Sequence, residues 1–191
     1  METQTQKKAE TPSTVESVKS LRKKYAVNVT LDPDSAHPDL IVFDDRKQMR
    51  YEYKQPERVE DGDKEQNNKS NRYLCVLGKE GFTSGRSYYE VQVKGERWYV
   101  GVAKDSVKRE GEICLNPKNG FWTMGRIDGM YLACDDLSIP LNVKPQRVGV
   151  YVNYEEGRVS FCDVESECYI HSFTAQSFDE KLYPFFSLAQ D

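Results

Sequence analysis

The chain has 191 residues, enough for one domain with a short extension. Its 12% aromatic content, with 12 tyrosines and 8 phenylalanines, supports a β-rich core and argues against disorder despite 30% charged residues. The net charge of −4 gives no field to draw in nucleic acid or an anionic membrane, and no apolar run approaches the roughly 18 residues that a span needs.

Met1 to Glu10 is wholly polar and is not a secretory signal, and residues 1–12 read as a solvated tail. Ser13 and Glu16 then stand three apart as a capping box with Ser13 as the N-cap. Val15, Val18 and Leu21 follow at helical spacing, and Arg22, Lys23 and Lys24 place cations at the end. The spacing predicts a short amphipathic helix over 14–24.

From Val27 the period falls to two. Val27, Val29 and Leu31 predict a strand, and Asp32-Pro33-Asp34 ends it in a loop that runs through His37-Pro38. Leu40 to Phe43 reads as a short buried strand, turned at Asp44-Asp45, and Met49, Tyr51 and Tyr53 mark the next. Lys54 to Arg72 is charged and almost free of apolar residues, a loop that is either mobile or used for binding. Strands resume at Tyr73 to Leu77, Tyr88 to Val93 and Trp98 to Ala103, with Gly95-Glu96-Arg97 joining the last two as a hairpin. Lys104 to Glu112 is a polar loop. Ile113 to Leu115 and Phe121 to Ile127 flank a turn, and Asp128-Gly129 is a two-residue hairpin signal before Met130 to Cys134. Pro140 demotes Leu137 to Leu141 to an edge strand or extended loop.

The strongest element is Val148 to Val164. Val148, Val150, Val152 and Tyr154 alternate with polar or small residues, Glu156-Gly157 offers a turn, and Val159 and Phe161 resume the alternation. A two-residue loop sets Tyr154 opposite Val159 and Val152 opposite Phe161; a three-residue loop with Gly157 as a bulge shifts that pairing. Cys168 to Phe173 and Leu182 to Leu188 close the chain. So many short strands, with no helix long enough for a parallel crossover, predict an all-β, antiparallel two-sheet sandwich.

Reactive chemistry is sparse. The two histidines are His37 and His171, and Cys168 stands three residues from His171, on the opposite face of a regular strand. The five cysteines are odd in number and contain no Cys-x-x-Cys, which fits reduced thiols better than disulfides or zinc. Asp44-Asp45, Asp135-Asp136 and Glu155-Glu156 all fall in predicted turns, and no phosphate-binding glycine loop is present. No catalytic set, metal site or cofactor site is expected. A sandwich of this kind is most often a recognition module whose loops bind.

Several motifs together resemble the PRY-SPRY family. They are Leu31-Asp32-Pro33-Asp34-Ser35-Ala36-His37-Pro38, Ser84-Gly85-Arg86-Ser87-Tyr88-Tyr89-Glu90-Val91, Trp98-Tyr99-Val100-Gly101-Val102-Ala103 and Gly120-Phe121-Trp122-Thr123. Pro145-Gln146-Arg147-Val148-Gly149-Val150, Val152-Asn153-Tyr154-Glu155 and Leu182-Tyr183-Pro184-Phe185-Phe186 complete the order. The likeness is to the domains that end tripartite-motif ubiquitin ligases, butyrophilins and some fish NOD-like receptors. Departures are Tyr89 in place of a Trp, Tyr99 in place of an acid, Asn153 in place of an Asp, and Met124-Gly125-Arg126-Ile127 without a second Trp. The chain also stops at Asp191, before a last strand that many relatives carry.

The resemblance implies a bent antiparallel two-sheet β-sandwich over 26–191, preceded by a polar tail and short helix over 1–25. It implies a cytoplasmic module without catalysis that recognises a protein partner through loops at one end. The role would be target selection for a tripartite-motif ubiquitin ligase or an innate immune receptor. No RING pattern of cysteine and histidine is present. Neither nucleic acid nor membrane insertion is expected. The residues matching the binding loops are Tyr99, Arg126, Ile127, Asp128 and Phe178. The alternative, a butyrophilin-like sensor of a small phosphorylated ligand, needs clustered basic groups. Arg126 and Lys104 are its candidates, and Tyr99 stands where a basic or imidazole group would help.

Overall fold

The computed structural model describes residues 15–52, 73–109, 111–135 and 138–189. The predicted capping residue Ser13 and the charged stretch from Lys54 to Arg72 lie outside them. The helix, α1 (Val18–Tyr25), starts later than its spacing suggested. Ser17 is the N-cap, its side chain accepting from the Ser20 amide. Glu16 lies ahead of the helix, and its carboxylate accepts from the Ser20 and Tyr25 hydroxyls, both at 2.8 Å. Val18 and Leu21 point inward and are fully buried.

Among the described residues twelve strands follow: β1 (Leu40–Val42), β2 (Met49–Tyr51), β3 (Tyr73–Leu77), β4 (Arg86–Gln92), β5 (Trp98–Lys104), β6 (Phe121–Ile127), β7 (Met130–Ala133), β8 (Ile139–Leu141), β9 (Arg147–Asn153), β10 (Arg158–Asp163), β11 (Cys168–Phe173) and β12 (Leu182–Ala189). β1 and β2 form a small ribbon; the rest make a four-stranded sheet in the order β11-β10-β9-β4 and a six-stranded sheet in the order β3-β12-β5-β6-β7-β8. Every strand pair in these sheets is antiparallel.

Alternation along the strands builds the layers. Trp98, Val100 and Val102 of β5 meet Val148, Val150 and Val152 of β9 in the core between the sheets. Tyr99 and Ala103 point to the other face, where Leu115, Val107 and Ile113 of the connection after β5 cover them. β5 is therefore buried on both faces, which explains its continuous apolar run. On the outside of the four-stranded sheet, Val18 and Leu21 of α1 pack on Tyr88, Tyr151 and Cys162.

Four sequence expectations are corrected. Val27 to Leu31 is not a strand, because its hydrogen bonds are divided: the Val27 amide donates to Tyr88 in one sheet, the Leu31 amide donates to Arg46, and Thr30 accepts from Lys79. Ile113 to Leu115 makes no ladder either, since it lies over a sheet face; a 3-10 turn at Pro117–Asn119, capped by Asn116, follows it. Gly95 to Arg97 is not a hairpin: β4 pairs with β9 and β5 with β12 and β6, so this turn carries the chain from one sheet to the other. In the β9–β10 hairpin the loop has four residues, with Val152 opposite Val159 and Val150 opposite Phe161. The Asn153 side chain accepts from the Glu156 amide and the Gly157 amide donates to Tyr154, which closes the longer turn. The slide is by two residues, so every side chain keeps its face. By contrast, Asp128-Gly129 does form the expected tight turn, with φ of 51° and 80°, and β8 with Pro140 is an edge strand.

Candidate functional site

Two separate ends of the sandwich carry the residues singled out by the sequence. At the first, β5 begins and β6 ends. The Asp128-Gly129 turn folds β7 back on β6, and the chain crossing from β4 at Gly95 to Arg97 lies beside it. Arg126 Nη1 donates to the Gly95 carbonyl at 2.9 Å, and its Nη2 lies 3.2 Å from Glu96. Arg97 meets Asp128 at 2.8 Å in the reciprocal sense. Two ion pairs thus tie the crossover to the turn. Each is solvated and adds little to stability, but together they fix the loops against each other. The Arg126 guanidinium lies 5.3 Å from the Tyr131 ring centre, and Tyr131 is edge-on to Trp98 at 6.2 Å. At the same turn Met130, opposite Ile127 and so on the other face of the sheet, is 63% exposed. Ile127 is half-buried and packs on the outer-face cluster.

Tyr99 is not part of this surface. It is 3% exposed, edge-on to Tyr73 at 5.4 Å, and lies over Gly125. A Cβ at Gly125 would come within 2.4 Å of the Tyr99 ring, so glycine is what admits the tyrosine there. Burial pushes the Tyr99 phenol far above its ordinary pKa.

Phe178 sits at the second end. Its ring is edge-on to Trp122 at 4.9 Å and 5.5 Å from Tyr154. The loop carrying it is pinned: Trp122 Nε1 donates to Gln176 at 3.0 Å, and the Tyr154 hydroxyl donates to the Glu180 carbonyl at 2.7 Å. Trp122 and Arg126 lie four residues apart on β6, about 13 Å at strand rise. The five expected residues therefore divide: Arg126 and Asp128 share the first end, Ile127 beside them turns to the outer-face cluster, Tyr99 is interior, and Phe178 plugs the other end. Lys104 also belongs to the second end, where it pairs with Asp179 at 2.6 Å. Arg126 and Lys104 thus form no common basic pocket.

Sequence reasoning missed Arg97, Glu96, Met130 and Tyr131 as members of the first end. The signal was present in the tight Asp128-Gly129 turn, which returns Met130 and Tyr131 beside Arg126 whatever the rest of the fold does. Elsewhere, a register shift opposite Phe161 and Cys162 breaks the simple alternation of β11, and the Cys168 thiol donates to the Ser166 carbonyl. Among the described residues no cluster of three or more His, Cys, Asp or Glu side chains could hold a metal.

The family follows from sequence matches laid over this fold. Residues 86–191 match the SPRY domain and residues 29–82 the SPRY-associated domain, PRY. The chain belongs to the SPRY family. Human zinc finger protein RFP is 37% identical over 93% of this chain and 35% of its own length. Butyrophilin subfamily 1 member A1 of Bos taurus is 40% identical over 86% of the chain and 31% of its own. Human E3 ubiquitin-protein ligase TRIM38 is 38% identical over 91% and 37%. The SPRY chain thus spans about a third of the length of the curated relatives it matches. Among solved structures, the TRIM65 PSpry domain superposes with a TM-score of 0.70 at 20% identity, covering 89% of this chain and 91% of that one. Stonustoxin gives 0.70 at 22% identity, over 91% of this chain and 27% of its own. These two likenesses establish the antiparallel sandwich fold.

Proposed function

We propose that this SPRY domain recognises a protein partner through the end built by Gly95 to Arg97 and Arg126 to Tyr131. The observation that carries the proposal is the composition and exposure of that end. Arginine, methionine and tyrosine are enriched at protein interfaces, and here the tip of one hairpin carries an Arg stacked on a Tyr on one face and, opposite Ile127 on the other face, a Met that is 63% exposed. Two ion pairs hold the loops in place, so little ordering is required on binding. The likeness to TRIM38, a ubiquitin ligase, supports a role in choosing the target while another part of a longer protein does the chemistry. A cytoplasmic setting and a role in innate immunity belong to the same proposal. No helix among the described residues is long and apolar enough to cross a membrane.

The test is affinity capture with the immobilised domain, comparing the parent with an Arg126→Glu, Met130→Glu double variant. Proteins held by the parent and released by the variant, at an unchanged melting temperature, support the proposal. Identical capture by both proteins rejects this end as the binding face.

A further inference from the structure

A cleft of about 480 Å³ opens between the sheets where the segment from Val27 to Leu31 crosses from one to the other. That is within the range of roughly 300–1,000 Å³ seen for small-molecule sites. Its floor is apolar and almost closed, with the buried Tyr89, Trp98, Val100 and Phe186 and the half-buried Leu188. The Tyr89 hydroxyl is already spent on the Gly101 carbonyl at 2.7 Å, so the ring offers only its apolar face. Val29, Met49, Val91 and Val93 are only partly buried beside the core, and Val27 is 39% exposed. The divided hydrogen bonding that stops Val27 to Leu31 from joining either sheet is what leaves this space open.

Charge at the cleft runs against the charge of the protein. Arg46, Lys47 and Lys94 line it, and Glu90 is the one acid among the described lining residues. The Glu90 carboxylate is occupied elsewhere: it accepts from Arg22 Nε at 2.6 Å, lies 3.6 Å from Arg147, and accepts from the Tyr88 hydroxyl on the α1 side of β4. Lys47 Nζ donates to the Asn28 side chain and to the Val29 carbonyl. Arg46 and Lys94 are exposed and make no ion pair among the described residues. The mouth is therefore cationic on a chain whose net charge is −4.

We propose that this cleft binds a small amphipathic anion, an apolar chain or ring system carrying one carboxylate. The apolar body lies against Val29, Met49, Val91 and Val93, and the carboxylate stays at the mouth with Arg46 and Lys94. The site borders the partner face, since Lys94 and Trp98 flank Gly95 to Arg97, but does not rest on it.

Calorimetric titration of the whole chain with decanoate, below its micelle concentration, tests the proposal. Saturable binding at one per chain is expected, with decanol and decylammonium about tenfold weaker for want of the charge-assisted contact. A double variant, Arg46→Asn and Lys94→Glu, removes the cationic mouth; Asn suits the positive φ of 54° at position 46. It should melt with the parent, lose about tenfold in decanoate affinity and leave decanol unchanged. A second variant, Val93→Trp, fills the cleft and should block decanoate and decanol alike. The proposal is overturned if decanoate shows no saturable binding, if decylammonium binds as tightly, or if the double variant binds decanoate like the parent.

Discussion

Phe161 shows no exposed surface; it stands opposite Val150 and edge-on to Phe173 at 6.3 Å. Phe161→Ala should therefore cost about 3–5 kcal/mol, read as a lower denaturant midpoint, and an unchanged midpoint would contradict its place in the core. The cysteines separate in the same way. All five are free, but Cys114 and Cys168 are exposed while Cys75, Cys134 and Cys162 are buried. Burial pushes the thiols of Cys75 and Cys134 up to about 11 and that of Cys162 to about 12, which withholds the reactive thiolate. Brief alkylation of the native protein should label Cys114 and Cys168 and spare the other three, with all five labelled after denaturation. Early loss of Cys162 would mean that α1 does not cover it. Tyr99 was misjudged at this scale because period-two alternation distinguishes two faces but not what covers each. Only the fold shows that the connection bearing Val107, Ile113 and Leu115 lies over the outer one.

The element most exposed to a single change is α1. It crosses the four-stranded sheet from β11, where Tyr169 donates to the Glu16 carbonyl at 2.7 Å, to β4, where Arg22 meets Glu90 at 2.6 Å. Its hold is apolar and rests on Val18 and Leu21. Leu21→Ala should cost about 2–5 kcal/mol and make Cys162 alkylate before Cys75 and Cys134. A parent-like midpoint with the parent labelling order would show that the helix is not held this way. The Asp128-Gly129 turn and the Pro140 edge strand were legible from sequence because their chemistry is local. Gly95 to Arg97 was misread because a hairpin and a crossover between sheets look alike over three residues. The difference lies in which distant strands β4 and β5 pair with. The hairpin around Gly157 had the right faces and a register two residues off, since alternation fixes parity and the Asn153 cap sets the loop length.

At the scale of the whole molecule, the antiparallel sandwich was legible from many short alternating segments and from motifs spread along the chain. The grouping of the site was not, because it depends on which strand ends share an end of the sandwich. Packing between the sheets also sets a pH response. His171 on β11 lies against Phe173 at 4.7 Å, and its buried Nε2 finds no partner among the described residues. Burial lowers its pKa from the ordinary 6.5, with Asp135 opposing more weakly. The folded protein thus resists the proton more than the unfolded chain does. The stabilising contribution is complete above the unfolded pKa of about 6.5 and is lost as pH falls toward the lower folded value. The favoured carboxylates Glu16, Glu155 and Glu180 act lower, as pH falls below about 4.5. His171→Gln should flatten the fall in urea midpoint between about pH 7 and 5; a slope identical to the parent would remove His171 from the account.

The central claim is that a protein partner docks where Gly95 to Arg97 meets Arg126 to Tyr131. Hydrogen–deuterium exchange of the domain, free and saturated with a captured partner, tests it most directly. The amides of residues 94–98 and 126–131 should gain protection on binding, while the pinned loop of residues 174–181 around Phe178 should exchange as it does in the free protein. Protection confined to residues 174–181 and the Trp122 end, with 94–98 and 126–131 unchanged, would contradict it.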